Sequence, residues 1–208
     1  VLINAGRDIT MLSATPTTTT RTGAGNLLLI AGQTIQVGLL EASDTVSLEA
    51  GQDIRDTNTD SRTNVRSTNL WVDAGGTIGD HEDTSGTPLS NANALDTEVD
   101  RVAGRSATGI YLREVSAGGG LLVSEVPNVV VEVDVARVNF NSTETAVNAT
   151  DSPVSAVNEP TLADFEDLET SLGGPIKVVV EAGTLTVDDG ADLDEHGISA
   201  EGSSNVLL

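Results

Sequence analysis

The 208-residue sequence has no cysteine. Disulfide scaffolds, thiolate metal sites and thiol nucleophiles are therefore excluded. Aromatic residues are nearly absent: one Trp, one Tyr and two Phe, 2% in all. Aromatics usually dominate core energetics, so this core has to be built from Val, Leu, Ile and Ala, which favours thin, regular packing. Cations are scarce. Lys and Arg total 10 against 32 Asp and Glu, for a formal charge of −22. The single lysine is Lys177 and the arginines are scattered. Phosphate binding needs clustered cations, so neither nucleic acid nor an anionic membrane surface is expected as a partner. No apolar run approaches the roughly 20 residues that a transmembrane helix requires, and no signal peptide is visible. The acidity itself either keeps a protein soluble in salt-rich water or supplies oxygen ligands for Ca²⁺. Composition leaves both open.

What the sequence does contain is a repeat. Ala-Gly-x-x-Ile occurs at Ala5-Gly6…Ile9, Ala31-Gly32…Ile35, Ala50-Gly51…Ile54 and Ala74-Gly75…Ile78. Each copy follows an alternating apolar run: Val1-x-Ile3, Leu27-x-Leu29, Val46-x-Leu48 and Leu70-x-Val72. Period-two alternation turns one face of a strand inward. The Ala suits a narrow interior, the Gly a turn or a close backbone approach, and a second short strand begins near the Ile. The Ala-to-Ala spacings are 26, 19 and 24 residues. Such irregularity suits a solenoid whose strands keep register while its loops vary.

Later segments read as degenerate copies. Ile110-Tyr111-Leu112 leads to Ala117-Gly118, and Val178-Val179-Val180 leads to Ala182-Gly183. Between them Asn128–Val138 alternates strongly, as a strand would. Asn139–Pro160, rich in Asn, Ser, Thr and Ala, reads as a long loop. Thr161–Leu172 carries Leu162, Phe165, Leu168 and Leu172 at helical spacing, ahead of Gly173-Gly174-Pro175, which predicts a short helix. The expected organisation is therefore solenoid layers over 1–138, an insertion of loop and short helix over 139–175, and further layers over 176–208. Overlaying Val206-Leu207-Leu208 on Val1-Leu2-Ile3 reads the last residues as the first half of a layer that the first residues complete, so the chain is expected to be one unit of a longer array. Neighbouring units or like chains, end to end, are then the expected partners.

NLLLIAGQTIQVG, TVSLEAGQDIRD and NLWVDAGGTIGD resemble the repeats of filamentous-haemagglutinin-type proteins, very large bacterial surface adhesins and two-partner-secretion passengers. The resemblance covers roughly three quarters of the chain and omits the 139–160 stretch. It implies an all-β, right-handed parallel β-helix, an extracellular, cell-surface location and an adhesive or structural role. It carries no catalytic motif and no required cofactor.

The chemistry candidates are few. Asp188, Asp189, Asp192 and Asp194, grouped beside Gly190, place carboxylates that would gather around Ca²⁺. They match neither the EF-hand loop nor the nonapeptide β-roll, and a solvated acidic turn is the alternative. Asp80-His81-Glu82-Asp83 lacks any His-x-x-x-His partner and reads as an exposed loop. Carboxylate pairs such as Glu41/Asp44 and Asp96/Glu98 have the types a glycosidase uses, but 32 acidic residues make chance pairs inevitable. Gly118-Gly119-Gly120 precedes a strand rather than a helix, and no Gly-x-Ser-x-Gly elbow exists, so phosphate cradles and serine triads have no anchor. Asn141 and Asn148 head N-glycosylation sequons, relevant only in a host with that machinery. Trp71, Leu28 and Ile30 occupy outward positions and form either a lateral patch or a face covered by loop. The functional expectation is a non-catalytic shaft segment mediating surface adhesion or filament assembly. The alternatives are a glycan- or protein-binding module acting through 139–175 and, third, a carbohydrate-active enzyme.

Overall fold

The computed structural model describes residues 1–11, 19–21, 25–57, 62–80, 93–126, 130–132, 135–138, 144–147, 156–158, 167–189, 196–202 and 204–208. Among these the chain is all-β, with no helix. Two sheets of parallel strands run side by side, and successive copies of the repeat add strands to each in turn. The first sheet stacks Leu2–Ala5, Leu27–Ala31, Thr45–Ala50, Asn69–Ala74 and Arg101–Ser106 in that order. The second stacks Ile9–Thr10, Ile35–Val37, Ile54–Asp56, Thr77–Ile78 and Gly109–Glu114. A further set, Thr19–Arg21, Leu39–Glu41, Val65–Arg66 and Leu95–Glu98, joins the second sheet. The join is possible because Gly109–Glu114 is long enough to pair with both Thr77–Ile78 and Leu95–Glu98 along one edge.

The repeat is the register. Ala5, Ala31, Ala50 and Ala74 lie opposite one another. Ile9, Ile35, Ile54, Ile78, Ile110 and Ile176 form one continuous column, closed by Val206. The inward residues Leu27, Leu29, Val46, Leu48, Leu70, Val72 and the Ile column make a single apolar core. The ladder continues around the corner between sheets, where Gly32, Gly51 and Gly75 donate their N–H to Ala5, Ala31 and Ala50 carbonyls at 2.9–3.0 Å. A Cβ on any of these three glycines would collide with the carbonyl oxygen of the glycine one layer before, so close approach of backbone to backbone fixes the residue. Two residues further on, Asp8 Oδ1 accepts from the Thr34 N–H at 3.1 Å and Asp53 Oδ1 from the Thr77 N–H at 2.9 Å.

Four expectations need correction. Ile110–Leu112 and Val178–Val180 are not first-sheet runs preceding an Ala-Gly corner; they belong to second-sheet strands, aligned through Ile110 and Ile176 with the Ile column. The true first-sheet strand of the fifth layer is Arg101–Ser106, with Val102, Gly104 and Ser106 opposite Leu70, Val72 and Ala74. Gly104 disguised it, since a Cβ there would strike Val72. Second, Leu168–Thr170 is a strand, flanked by Arg101–Ser106 on one side and Ile198–Ala200 on the other, so the helix expected over 161–172 does not extend through it. Leu168 is buried while Leu172 is 77% exposed; hydrogen bonds to two neighbouring strands replace helical ones. Residues 159–166 lie outside the described set. Third, Val130–Glu132 and Val135–Val138 stand apart from the parallel sheets. They pair antiparallel with Ala156–Asn158 and Glu144–Val147, within the stretch expected to be loop. The departure from the stack thus begins before residue 139. Fourth, Val206–Leu207 aligns with Ile176–Lys177 in the second sheet, whereas Leu2–Ala5 lies in the first, so the overlay of Val206–Leu208 on Val1–Ile3 is not the register of the fold.

Candidate functional site

The sites expected from sequence scatter. Asp188 is exposed and Asp189 partly buried, on the stretch following the strand Leu185–Val187. Asp192, Asp194, Asn141, Asn148 and His81–Asp83 lie outside the described residues. Among the described residues no group of three or more His, Asp or Glu is placed to hold a metal ion. The carboxylate pairs are engaged structurally. Glu41 and Glu98 both hold Arg66, at 2.8 and 2.7 Å. Asp44 accepts from the Asn69 side chain. Asp96 is fully buried against Arg113. Gly120 lies in the turn leading to Leu121–Val123, whose first N–H donates to Thr184.

The polar residues that the fold does bring together form ladders on the second sheet. Arg66 sits opposite both Glu41 and Glu98. Its Nε and Nη2 reach the two Glu98 oxygens at 2.7 and 2.8 Å, and Nη1 reaches Glu41 at 2.8 Å. Hydrogen bonds from Arg66, aided by Thr63, hold the Glu98 carboxyl below its usual range against a smaller burial effect. A second ladder is buried. Asn64 accepts the Asp96 N–H at 2.8 Å and donates to the Val37 and Gly38 carbonyls, both at 3.1 Å, and to Asp56 Oδ1 at 2.6 Å. Glu114, opposite Thr97 and also fully buried, accepts from the Thr97 hydroxyl and from the Val99 and Ser116 N–H groups. Every one of these contacts is internal, so the ladder specifies register. Sequence reading missed it because Asn64, Asp96 and Glu114 lie far apart in the chain and share no motif.

Surface hollows are also found among the described residues. One, of about 290 Å³, runs along the outer face of the first sheet and is lined by Asp73, Arg105, Ser106, Glu169 and Ser171 among others. Asp73, Arg105 and Glu169 are successive members of one outward column. Burial pushes the Asp73 carboxyl up, and Arg105 opposes the shift. Another, of about 250 Å³, is lined by Arg55, Thr77, Gly79, Asp80, Thr108 and Tyr111. Burial, and then the charge of Asp80, raises the Tyr111 phenol. Trp71 and Leu28, outward by alternation, are 2% and 0% exposed, and Trp71 packs with Ala103 and Val126. Of the two readings of this face, the covered one holds at these residues. No family model, curated protein or solved structure matches the chain.

Proposed function

We propose that the chain is a structural, adhesive shaft segment of a large extracellular protein, with its two sheets wound as a right-handed parallel β-helix of the filamentous-haemagglutinin type. The supporting observation is the seven-layer column from Ile9 to Val206, in register throughout. In such a stack each layer is held by its neighbours, so stability is close to a sum of nearest-neighbour terms. The described polar groups are spent on that stacking: Arg66 bridges two layers, and Asn64 and Glu114 bind backbone of adjacent strands. The role is mechanical and uses no cofactor. Ca²⁺ at the 188–194 carboxylates would be an accessory that bridges acidic surfaces.

Single-molecule pulling through residues 1 and 208 tests this. A shaft yields in steps of about one layer, roughly 20–25 residues or ~80 Å of contour at the extended rise per residue. One low-force collapse of the whole chain, or sugar released from acidic polysaccharides incubated with the protein, overturns it.

A second reading, partner binding through the insertion, has its own support. The 139–175 insertion contributes Glu144–Val147 and Ala156–Asn158 to antiparallel pairs with 135–138 and 130–132, apart from the parallel sheets. A glycan or protein would be its partner. Deleting this element without loss of surface adhesion would remove that reading.

A further inference from the structure

In the sixth layer the first-sheet strand is made in two pieces. Leu122 and Val123 lie opposite Arg101 and Val102. Leu168, Glu169 and Thr170 lie opposite Gly104, Arg105 and Ser106. The missing middle position, opposite Ala103, is filled twice. The Ser124 N–H donates to the Val102 carbonyl at 3.2 Å, and the Gly104 N–H donates to the Asp167 carbonyl at 2.8 Å. Both are bonds that a residue facing Ala103 makes in a parallel ladder. Ser124 and Asp167 are therefore the two sides of one neck, and everything between them leaves and returns at a single point.

The seventh layer repeats the device. Leu185, Thr186 and Val187 stack on Leu121, Leu122 and Val123, and Ile198, Ser199 and Ala200 stack on Leu168, Glu169 and Thr170. The Asp188 N–H donates to the Val123 carbonyl at 2.9 Å, and the Leu168 N–H donates to the Gly197 carbonyl at 3.3 Å. The two sides of this second neck touch: a Cβ on Gly197 would strike Val187 and lie 2.7 Å from the Asp188 carbonyl oxygen. Two successive layers are thus interrupted at one place, by excursions of very different length, and both keep the ladder on either side.

We infer that the 125–167 excursion is an arm separable from the ladder: its removal leaves one unbroken strand, Leu121-Leu122-Val123-Ser124-Leu168-Glu169-Thr170, and among the described residues its first two still touch the stack, the Glu125 carbonyl accepting from Arg101 Nη1 at 2.9 Å and Val126 packing on Trp71 and Ala103. That spliced strand has the pattern of its neighbours. Val123, Leu168 and Thr170 fall beneath Val102, Gly104 and Ser106 on the inward face, and Ser124 and Glu169 fall outward. Insertions succeed where the two ends of the inserted chain meet at a point that crosses no packed core. The described strands of the arm pair with one another and with neither parallel sheet. A load carried along the stack therefore bypasses the arm. The inference rests on the neck and not on the shaft reading, and its failure would leave that reading in place.

Three variants test it in the full chain. The first joins Ser124 to Leu168. The second joins Val123 to Leu168, one residue shorter. The third replaces residues 127–166 with a six-residue Gly/Ser linker. Far-ultraviolet circular dichroism, thermal melting and amide hydrogen exchange read the result. The third is expected to keep the parent β spectrum, a Tm within ~4 °C of the parent, about a 1 kcal/mol perturbation for a chain of this size, and slow exchange at Val102 and Leu168; the first is expected to keep that spectrum and slow exchange but to melt below the third and above the second, because it also removes Val126 from Trp71 and Ala103. The second puts Leu168 on the outward face, because a one-residue slip inverts every side chain, and is expected to melt at least 10 °C lower or to fail to fold. A first variant no more stable than the second, or a third variant that has lost cooperative melting, overturns the inference.

Discussion

Arg113 faces Asp96 directly across one strand gap and grips it through two parallel bonds, Nε to Oδ1 at 2.7 Å and Nη2 to Oδ2 at 2.6 Å. Asp96 is fully buried and the Arg113 side chain is 10% exposed. Removing one partner of such a pair strands the other charge in the fold, which typically costs about 3–5 kcal/mol. Asp96→Ala is expected to lower stability by that order, and Arg113→Met to do the same. Joint replacement by Asp96→Leu and Arg113→Met is expected to recover most of the loss, since apolar groups of similar volume leave nothing unpaired. Urea denaturation of the two single variants and the double variant measures this; a double variant as unstable as the singles refutes it.

Acid is expected to weaken the Arg66 ladder. Glu98 has its folded-state pKa held down by its hydrogen bonds to Arg66. A depressed carboxyl contributes stability that is complete above the unfolded value, about 4.5, and is lost as pH falls through the folded value. Glu98→Gln should therefore melt below the parent at pH 7, and the two should converge on acidification below 4.5. A difference in Tm independent of pH would assign the effect to packing instead.

Asp73 has the opposite sign. Burial raises its pKa despite Arg105, so the charged form is disfavoured in the folded state relative to the unfolded chain. The cost is present wherever Asp73 is ionised in both states and disappears once both are protonated, below the ordinary value of about 3.8. Asp73→Asn is expected to raise Tm at pH 7 and to leave it unchanged near pH 3. A lower Tm at pH 7 would mean that the attraction to Arg105 outweighs burial.

The first four layers are legible in the sequence because one strong rule writes them. Alternation places Leu27, Leu29, Val46, Leu48, Leu70 and Val72 inward, and the Ala-Gly corner and the Ile follow at fixed offsets. From the fifth layer onward the rule is broken by substitution and by interruption. Val102-x-Gly104-x-Ser106 carries the strand with a glycine and a serine where apolar residue and alanine stood, because Val72 fills the space over Gly104. The sixth strand is divided by more than 40 residues, so no local window contains it. Leu168 then falls by chance at helical spacing from Leu162, Phe165 and Leu172. The buried ladder of Asn64, Asp96, Arg113 and Glu114 escapes for a related reason, since its register depends on loops of unequal length.

The glycine column supplies a prediction with an internal control. Gly6, Gly32, Gly51 and Gly75 occupy the same place in the repeat, yet they do not meet the same surroundings. A Cβ on Gly51 would overlap the Gly32 carbonyl oxygen, and one on Gly75 the Gly51 carbonyl oxygen; one on Gly6 has nothing within 4 Å. The neighbour in the first two cases is backbone held in a ladder, which cannot rotate away as a side chain would. Forcing a methyl group into such a contact typically costs about 1–3 kcal/mol, or several degrees of Tm at this chain length. Gly51→Ala and Gly75→Ala are therefore expected to lower Tm measurably, and Gly6→Ala to be neutral or slightly stabilising, because alanine restricts the unfolded chain. If all three were equally costly, a shared backbone conformation would be what the glycines supply. The contrast between Gly6 and Gly51 isolates contact between layers as the cause.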